Sequence, residues 1–383
     1  MKKNIKFYVF TLLFIRCFNI GNAVEIDSKY GILYDYTNKE VLFAKDMNTI
    51  NPPSSMTKLM VAYITFEQLA TKKLKLDDKF KVSIRAWRQD GSRMFLEPEW
   101  RISIDELLRG LITVSGNDAA VVLAEGISGN IDEFVNLMNS TALKLGMKDT
   151  HFANPSGLYD SKHFSTMKDL TILISAILDK YKPYYDRYFA LKEYSFNNIK
   201  QRNRNVLLGV YDGLDCVKTG HTDEGGYGLA SSSERKGLRL IAIVNGGNSE
   251  KMRANDTIKL LEYGFLQYQY LDLYKANQPI INLNNVVRNI DDDIYLYSNK
   301  DIVYPVKRNR INDVEVKVIY NTVNSNNIRA GEKAGILRIV DGEKVVDYNL
   351  FASKNINKTS KLKRFFSYFK GNCAKVIFLD FKK

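Results

Sequence analysis

The feature that most constrains this chain is a serine and a lysine three residues apart at the start of an apolar segment. Two prolines precede Ser55, Lys58 follows it, and residues 59–69 are mostly apolar. Because prolines favour an extended approach, we predict a helix that begins at about Ser55 and places the hydroxyl and the amine on one face. Free backbone N–H groups gather at such a helix start and stabilise an anion there.

A serine hydroxyl becomes a strong nucleophile when a base takes its proton, and a lysine is such a base when burial leaves its amine neutral. The apolar segment after Lys58 predicts this burial. The same spacing also occurs by chance, with the lysine solvated at an ordinary helix start. The pair alone therefore leaves both interpretations open.

Two later stretches carry polar side chains at regular spacing. Ser115 and Asn117 lie two residues apart in a predicted turn before an apolar helix, where they either cap the helix or point into one cleft. Residues 215–222 form a predicted strand, in which Lys218 and Gly220 face one side. The lysine offers a charge there, and the glycine lets a ligand backbone approach closely. Alternation predicts Cys216 on that face too, with a buried filler position as the alternative.

The two ends of the chain predict export and membrane contact. Residues 1–23 have early lysines, an apolar stretch and a small-x-small pattern ending at Ala23, as in a cleaved secretory signal. An uncleaved signal anchor is the alternative, because Arg16 and Cys17 interrupt the apolar stretch. In residues 361–370 one helical face is apolar and the rest is basic, and residues 376–379 add an apolar cluster. We predict that this tail lies in an anionic membrane surface, with docking on the protein itself as the alternative.

Charge and composition exclude several classes. The formal net charge is +13, of which the predicted signal contributes +4 and residues 361–383, with seven basic and one acidic side chain, contribute +6. The surplus of the mature chain therefore lies largely at the C-terminus and does not indicate a nucleic-acid partner. The three histidines, His151, His163 and His221, lack zinc-ligand spacing. We therefore expect no metal and no other cofactor. The three cysteines lie in unrelated segments, which argues against a disulfide framework.

The pattern along the chain predicts four regions. Residues 1–23 are the signal, and residues 24–276 form a domain that begins with a hairpin at 31–44 and alternates helices with strands. Residues 277–355 read as a small all-β domain, with strands at 293–297, 314–320 and 335–340. Residues 356–383 form a linker and the basic amphipathic segment.

Together, the S-x-x-K, S-x-N and K-T-G motifs resemble those of serine β-lactamases and penicillin-binding proteins, in the same order. The chain resembles the low-molecular-mass penicillin-binding proteins that act as D-alanyl-D-alanine carboxypeptidases, as residues 91–96, 152–158, 203–205 and 218–222 also indicate. The resemblance implies an α/β fold. Its parts are an antiparallel sheet flanked by helices, a helical subdomain and a β-rich second domain.

The resemblance also implies roles for the motif residues. Ser55 would attack the carbonyl between two D-alanines, and Lys58 would take its proton. Ser115 would relay a proton to the leaving nitrogen, and Asn117 would hold Lys58 or the substrate amide. The backbone N–H groups of Ser55 and His221 would form the oxyanion hole.

The substrate carboxylate would meet Lys218 and Thr219 beside Gly220. Arg204 is the preferred second cation and Arg253 a weaker candidate, because a guanidinium binds a carboxylate with two hydrogen bonds. A surface salt bridge is the alternative for Arg204. The implied partners are a peptidoglycan stem peptide ending in D-Ala-D-Ala and β-lactams as covalent inhibitors, at the periplasmic face of the cytoplasmic membrane.

Three other functions compete with this interpretation. A class A β-lactamase needs a glutamate to activate the deacylating water, and residues 140–190 contain none. Efficient antibiotic hydrolysis is therefore not expected. A DD-endopeptidase would use the same residues to cut peptidoglycan cross-links. A catalytically inert, membrane-bound wall protein would keep the fold without the activity.

Overall fold

The computed structural model describes residues 24–283, 294–321, 328–355 and 374–379. The predicted signal and the predicted amphipathic helix at 361–370 lie outside these ranges. Within them, no helix has the length and the apolar character needed to cross a membrane.

The first domain is built around a five-stranded antiparallel sheet, in which the strands follow the order β2 (Glu40–Lys45), β1 (Tyr30–Asp35), β9 (Leu238–Gly247), β8 (Gly226–Arg235) and β7 (Lys218–Thr222). The first two strands are the predicted hairpin. The strands of this domain are β1 Tyr30–Asp35, β2 Glu40–Lys45, β3 Lys79–Lys81, β4 Arg101–Ser103, β5 Glu193–Phe196, β6 Ile199–Arg202, β7 Lys218–Thr222, β8 Gly226–Arg235 and β9 Leu238–Gly247. β3 pairs with β4, and β5 with β6, in small hairpins outside the sheet.

Helices cover both faces of this sheet. The helices of this domain are α1 Lys58–Ala70, α2 Ile84–Trp87, α3 Ile104–Thr113, α4 Asn117–Ser128, α5 Ile131–Leu145, α6 Met167–Tyr188 and α7 Glu250–Leu266. β9 is buried along its length, and its side chains alternate between the faces: Ile241 and Ile243 join the core that contains α1, whereas Leu240 and Val244 join the core beneath α7. The predicted α/β architecture is confirmed.

α1 is the central helix of the first domain. Ten of its thirteen residues are buried, because α3, α4, α5 and α6 pack around it. A short 3-10 helix, Ser54–Thr57, leads into it and packs against β7. Lys58, the first residue of α1, is therefore held where water has little access.

The second domain is all β. Its strands are β10 Tyr268–Tyr274, β11 Pro279–Asn282, β12 Tyr295–Tyr297, β13 Ile302–Lys307, β14 Val314–Asn321, β15 Lys333–Asp341, β16 Lys344–Ala352 and β17 Ala374–Leu379, with a 3-10 helix at Arg308–Asp313. β10 pairs with β13, and the others form a sheet of order β11-β12-β16-β15-β14-β17. Lys344 Nζ donates to Asn38 Oδ1 at 2.6 Å, in the turn between β1 and β2. The second domain thus contacts the sheet at the edge opposite β7.

The structure corrects two predicted boundaries. The second domain begins at β10 rather than at residue 277, because β10 follows α7 directly and pairs with β13 along its length. At the other end, residues 376–379 belong to β17, an edge strand hydrogen-bonded to β14. They are therefore part of the second domain's sheet, whereas the sequence predicted them as an apolar cluster of the membrane-contacting tail.

Candidate active site

Ser55 and Lys58 meet at the junction between the 3-10 helix and α1. The 3-10 helix begins at Ser54 and the α-helix at Lys58. The predicted position of the helix start, at about Ser55, is therefore confirmed, but its first turn is a 3-10 turn. Lys58 Nζ lies 3.0 Å from Ser55 Oγ. The lysine is 1% exposed, which confirms its predicted burial.

Two neutral oxygens hold the Lys58 amine from its other sides. Nζ donates to Asn117 Oδ1 at 2.6 Å and to the backbone carbonyl of Ser156. A neutral amine has two N–H donors and one lone pair, so these bonds leave the lone pair for the Ser55 hydroxyl. Burial lowers the pKa of Lys58 well below its ordinary value, the charge of Lys218 lowers it further, and Asp118 opposes the shift. The neutral amine can therefore accept the proton of the Ser55 hydroxyl.

Asn117 has a fixed orientation. Its Nδ2 donates to the Asp90 carbonyl at 2.6 Å and its backbone N–H donates to the Ser92 carbonyl at 2.7 Å. The amide oxygen must then face Lys58. Asp118 accepts backbone N–H bonds from Met94 and Leu96 and so holds the same loop. These hydrogen bonds hold the loop at residues 90–96 against the start of α4.

Ser115 lies in the turn between α3 and α4 with a left-handed backbone, φ +63°. It does not cap α4, whose N-cap is Gly116 without a side-chain bond. Its Oγ instead accepts a hydrogen bond from Lys218 Nζ at 2.9 Å. The cleft interpretation of the S-x-N motif therefore replaces the capping one.

Lys218 is the second buried lysine of the site. Its Nζ also donates to the Thr219 carbonyl at 3.0 Å. Burial lowers its pKa to about 7, Cys216 opposes this, and the charges of Arg253 and Arg204 lower it further. At neutral pH this side chain exchanges readily between charged and neutral forms.

One cavity of about 290 Å³ brings the motifs together. Ser55, Ser115 and Asn117 line one wall, and Thr219, Gly220 and His221 line the other, with Arg204 and Arg253 at the same cavity. Lys58 and Lys218 lie behind these walls, in contact with Ser55 and Ser115. The structure thus gathers every predicted site residue around one cleft.

The two arginines differ in how their guanidinium groups are used. Arg204 is exposed at the cavity, and its neighbours Asn203 and Asn205 anchor its loop by bonds to the Leu191 carbonyl and Cys216 Sγ. Arg253 is buried, and its Nη1 donates to the carbonyls of Gly220 at 3.1 Å and Gly228 at 3.4 Å. Its Nη2 pairs with Glu250 at 2.9 Å. Arg253 therefore braces β7 and is less free to bind a carboxylate.

The structure corrects the predicted surroundings of Gly220 and Cys216. A Cβ at Gly220 would meet the Pro53 carbonyl oxygen at 3.1 Å and Ser54 Cβ at 3.2 Å, so the neighbour that this glycine admits is the 3-10 helix rather than a ligand. Cys216 has φ +74°, which breaks the strand alternation, and β7 begins only at Lys218. Its thiol lies in the core beneath α7, where burial raises its pKa to about 11.

No sequence motif indicates the groups that act at the site through the backbone. The Ser156 carbonyl binds Lys58, and the one sequence signal for it is the Asn154-Pro155-Ser156-Gly157 turn. His163 contacts Thr57 behind the site, and Glu250 pairs with Arg253 at the cavity. No sequence motif indicates either contact. Among the described residues, no cluster of His, Cys, Asp or Glu could hold a metal ion.

Comparison with known proteins gives matches along most of the chain. Residues 18–249 match the family model of D-alanyl-D-alanine carboxypeptidases, and residues 268–358 match that of the C-terminal domain of penicillin-binding protein 5. The chain is 34% identical to the D-alanyl-D-alanine carboxypeptidase DacF of Bacillus subtilis over 87% of this chain and 86% of the relative. It is 33% identical to DacA of Escherichia coli over 79% and 76%.

Solved structures agree with this. Penicillin-binding protein 5 of Haemophilus influenzae has a TM-score of 0.65 and 30% identity, and the match covers 87% of this chain and 98% of that one. The ampicillin-bound penicillin-binding protein D2 of Listeria monocytogenes has a TM-score of 0.58 and 32% identity over 63% and 99%. The predicted family is confirmed: the chain belongs to the D-alanyl-D-alanine carboxypeptidases, serine-type hydrolases among the low-molecular-mass penicillin-binding proteins.

Proposed function

We propose that this protein removes the terminal D-alanine from peptidoglycan stem peptides ending in D-Ala-D-Ala, through an acyl-enzyme on Ser55. The observation that carries the proposal is the Lys58 amine, buried, bound to two neutral oxygens and 3.0 Å from the Ser55 hydroxyl. Such an arrangement makes a serine nucleophilic without a histidine or a metal ion.

In the first step, Ser55 Oγ bonds to the carbonyl carbon of the penultimate D-alanine while Lys58 takes the hydroxyl proton. The N–H groups of Ser55 and His221 are proposed to receive the oxyanion, a contribution of about 3 kcal/mol for each donor. Ser115 then relays the proton held by Lys58 to the leaving nitrogen, so that the C–N bond breaks, free D-alanine departs and Lys58 becomes neutral again. Its bond from Lys218 orients the Ser115 hydroxyl for this transfer.

The substrate carboxylate is bound by the other wall of the cleft. Lys218 supplies a charge when protonated, the Thr219 hydroxyl a hydrogen bond, and Arg204 an exposed guanidinium at the same cavity. Arg253 acts indirectly, because its bond to the Gly220 carbonyl fixes the peptide unit that carries the His221 N–H. A water molecule then attacks the ester and releases the shortened peptide.

The same serine is proposed to open β-lactams and to hold them as a stable acyl-enzyme. The Listeria relative is described in ampicillin-bound and cefotaxime-bound forms. In this chain, residues 140–190 contain no glutamate to activate a deacylating water. Release of the opened antibiotic should therefore be slow.

The test of the proposed function is release of D-alanine from a soluble peptide ending in D-Ala-D-Ala. The mature protein should release one D-alanine for each peptide, and Ser55→Ala should release none while remaining folded. A fluorescent penicillin should label the first protein and not the second. Absence of D-alanine from folded, penicillin-labelled protein would refute the carboxypeptidase activity.

We further propose that the protein is exported and lies at the periplasmic face of the membrane, with residues 361–370 in an anionic lipid surface. Each basic side chain near such a surface contributes about 1 kcal/mol. Because β17 follows this segment and belongs to the second domain, substitution is a better test than truncation. Serine at Lys361, Lys363, Arg364 and Lys370 should abolish sedimentation with phosphatidylglycerol vesicles, and unchanged sedimentation would refute the anchor.

A further inference from the structure

His163 lies behind the active site, between the loop at residues 152–158 and the helix that carries the nucleophile. Its imidazole is buried, 3% exposed. Nδ1 accepts the backbone N–H of Ala153 at 3.0 Å, and Nε2 lies 2.7 Å from Thr57 Oγ1. Phe152 covers the ring edge-on, with the centroids 5.6 Å apart. The imidazole therefore has a specific partner at each nitrogen.

These contacts determine where the proton lies. Because Nδ1 accepts a backbone N–H, it must keep its lone pair, and a neutral imidazole then carries its hydrogen on Nε2. Nε2–H donates to the Thr57 hydroxyl. Burial lowers the pKa of His163 to about 4, the Asp160 carboxylate opposes this, and His151 and Lys58 add to it. The ring is neutral, in a single tautomer, through the physiological pH range.

The two partners of His163 are the two backbone segments that hold Lys58. Thr57 immediately precedes Lys58. Ala153 immediately precedes the turn whose Ser156 carbonyl accepts a hydrogen bond from Lys58 Nζ. The two segments also touch directly: a Cβ at Gly157 would lie 2.0 Å from the Ser54 carbonyl oxygen and 3.0 Å from Thr57 Oγ1. The imidazole thus bridges the start of α1 and the turn that supplies the carbonyl.

We propose that His163 is a positioning residue for the catalytic base: by joining Thr57 to Ala153, it fixes the Ser156 carbonyl against the Lys58 amine and keeps water away from it. This rests on the proposed function of Lys58. Without the bridge, the turn should shift away from α1 and the amine should gain water. A displacement of about 1 Å at a reacting group reduces the rate by up to about 100-fold, so we expect a loss of about 10- to 100-fold.

The decisive variants are His163→Asn and Thr57→Val. Asparagine can still accept the Ala153 N–H through its Oδ1 but is too short to reach Thr57, whereas valine removes the Thr57 hydroxyl from the other side. His151→Asn is the matched control, because His151 lies in the same region but is exposed, and among the described residues its ring hydrogen-bonds the Lys162 carbonyl through Nδ1 and contacts Phe164, away from Thr57 and Ala153. The reaction is acylation by a fluorescent penicillin, measured as a saturating rate constant and a non-covalent affinity over a range of pH.

We expect both variants to lower the saturating acylation rate about 10- to 100-fold with the affinity changed less than about twofold. The acid limb of the rate should move to higher pH, since a more hydrated Lys58 has a pKa closer to its ordinary value and is neutral only at higher pH. The double variant should be no slower than the slower single one. His151→Asn should behave as wild type. A loss in affinity alone, an unmoved acid limb, or additive losses would overturn the proposal.

A second measurement does not depend on activity. The protein has three histidines, so nitrogen-15 spectra of the labelled imidazoles, assigned with the His163→Asn variant, report the tautomer directly. We expect a neutral ring with hydrogen on Nε2 at pH 7. Hydrogen on Nδ1, or a charged ring, would refute the bridge even if acylation were normal. Failure of D-alanine release with this tautomer present would refute the carboxypeptidase proposal and leave the bridge intact.

Discussion

The two walls of the cleft each contain a buried lysine, and their surroundings give the two lysines different properties. Lys58, on the helical wall, faces Ser55, Asn117 and a carbonyl. Lys218, on the strand wall, faces Ser115 and lies near two arginines, at the end where a substrate carboxylate would arrive. Burial lowers both pKa values. The difference shows that neighbouring groups, rather than residue type, assign the role of base or of cation.

The largest expected effect comes from replacing the base. Lys58→Arg should fold but lose acylation by about 10²- to 10⁴-fold, because a guanidinium stays protonated and cannot accept the serine proton. The measurement is the rate of labelling by a fluorescent penicillin, with a thermal unfolding curve to establish folding. Labelling at the wild-type rate would contradict the assignment of Lys58 as the base.

Removing the cation of the other wall should have a smaller and more selective effect. Lys218→Met should lower kcat/KM for a peptide ending in D-Ala-D-Ala by about 10- to 100-fold, since a hydrogen bond to a charged group is lost. The same peptide ending in an amide should lose less, because it has no carboxylate to bind. Equal losses with both peptides would indicate that Lys218 acts only through Ser115.

The pH dependence should separate the two lysines in the unmodified protein. Below the lowered pKa of Lys58 the base is protonated, so kcat/KM should fall with falling pH for both peptides. Above about pH 7, Lys218 loses its proton, and kcat/KM for the carboxylate peptide should fall by up to about tenfold before levelling. The amide peptide should show the acid limb alone. An alkaline limb of equal size with both peptides would argue against a binding role for Lys218.

The smallest expected effect concerns Glu250, an acidic residue at the cavity. Its carboxylate pairs with Arg253 and its side chain is 61% exposed. It repels an arriving carboxylate, so Glu250→Gln should raise kcat/KM for the carboxylate peptide by about twofold to fivefold at low salt, and less at high salt. Glu262→Gln, which removes a partner of Arg235 in another part of the domain, is the control. A decrease in kcat/KM for the carboxylate peptide in Glu250→Gln would mean that Glu250 serves mainly to hold Arg253.

The sequence by itself determined the chemistry and the architecture. The positions of Ser55, Lys58, Ser115, Asn117 and Lys218 follow from three short motifs, and one cavity gathers them with their neighbours. The hairpin β1–β2 and the strands β12, β14 and β15 follow from local alternation and turn residues. These features could be predicted because side-chain identity and short-range periodicity are written directly in the residues.

Only the tertiary structure decided how backbone groups and distant segments meet. A carbonyl has no residue identity, so nothing in the sequence assigns Ser156 to Lys58 or the Gly220 carbonyl to Arg253. The left-handed backbone of Cys216 reverses the prediction from alternation. The pairing of β10 with β13 and of β17 with β14 joins segments far apart in the chain. Such contacts depend on long-range packing, which a local pattern does not encode.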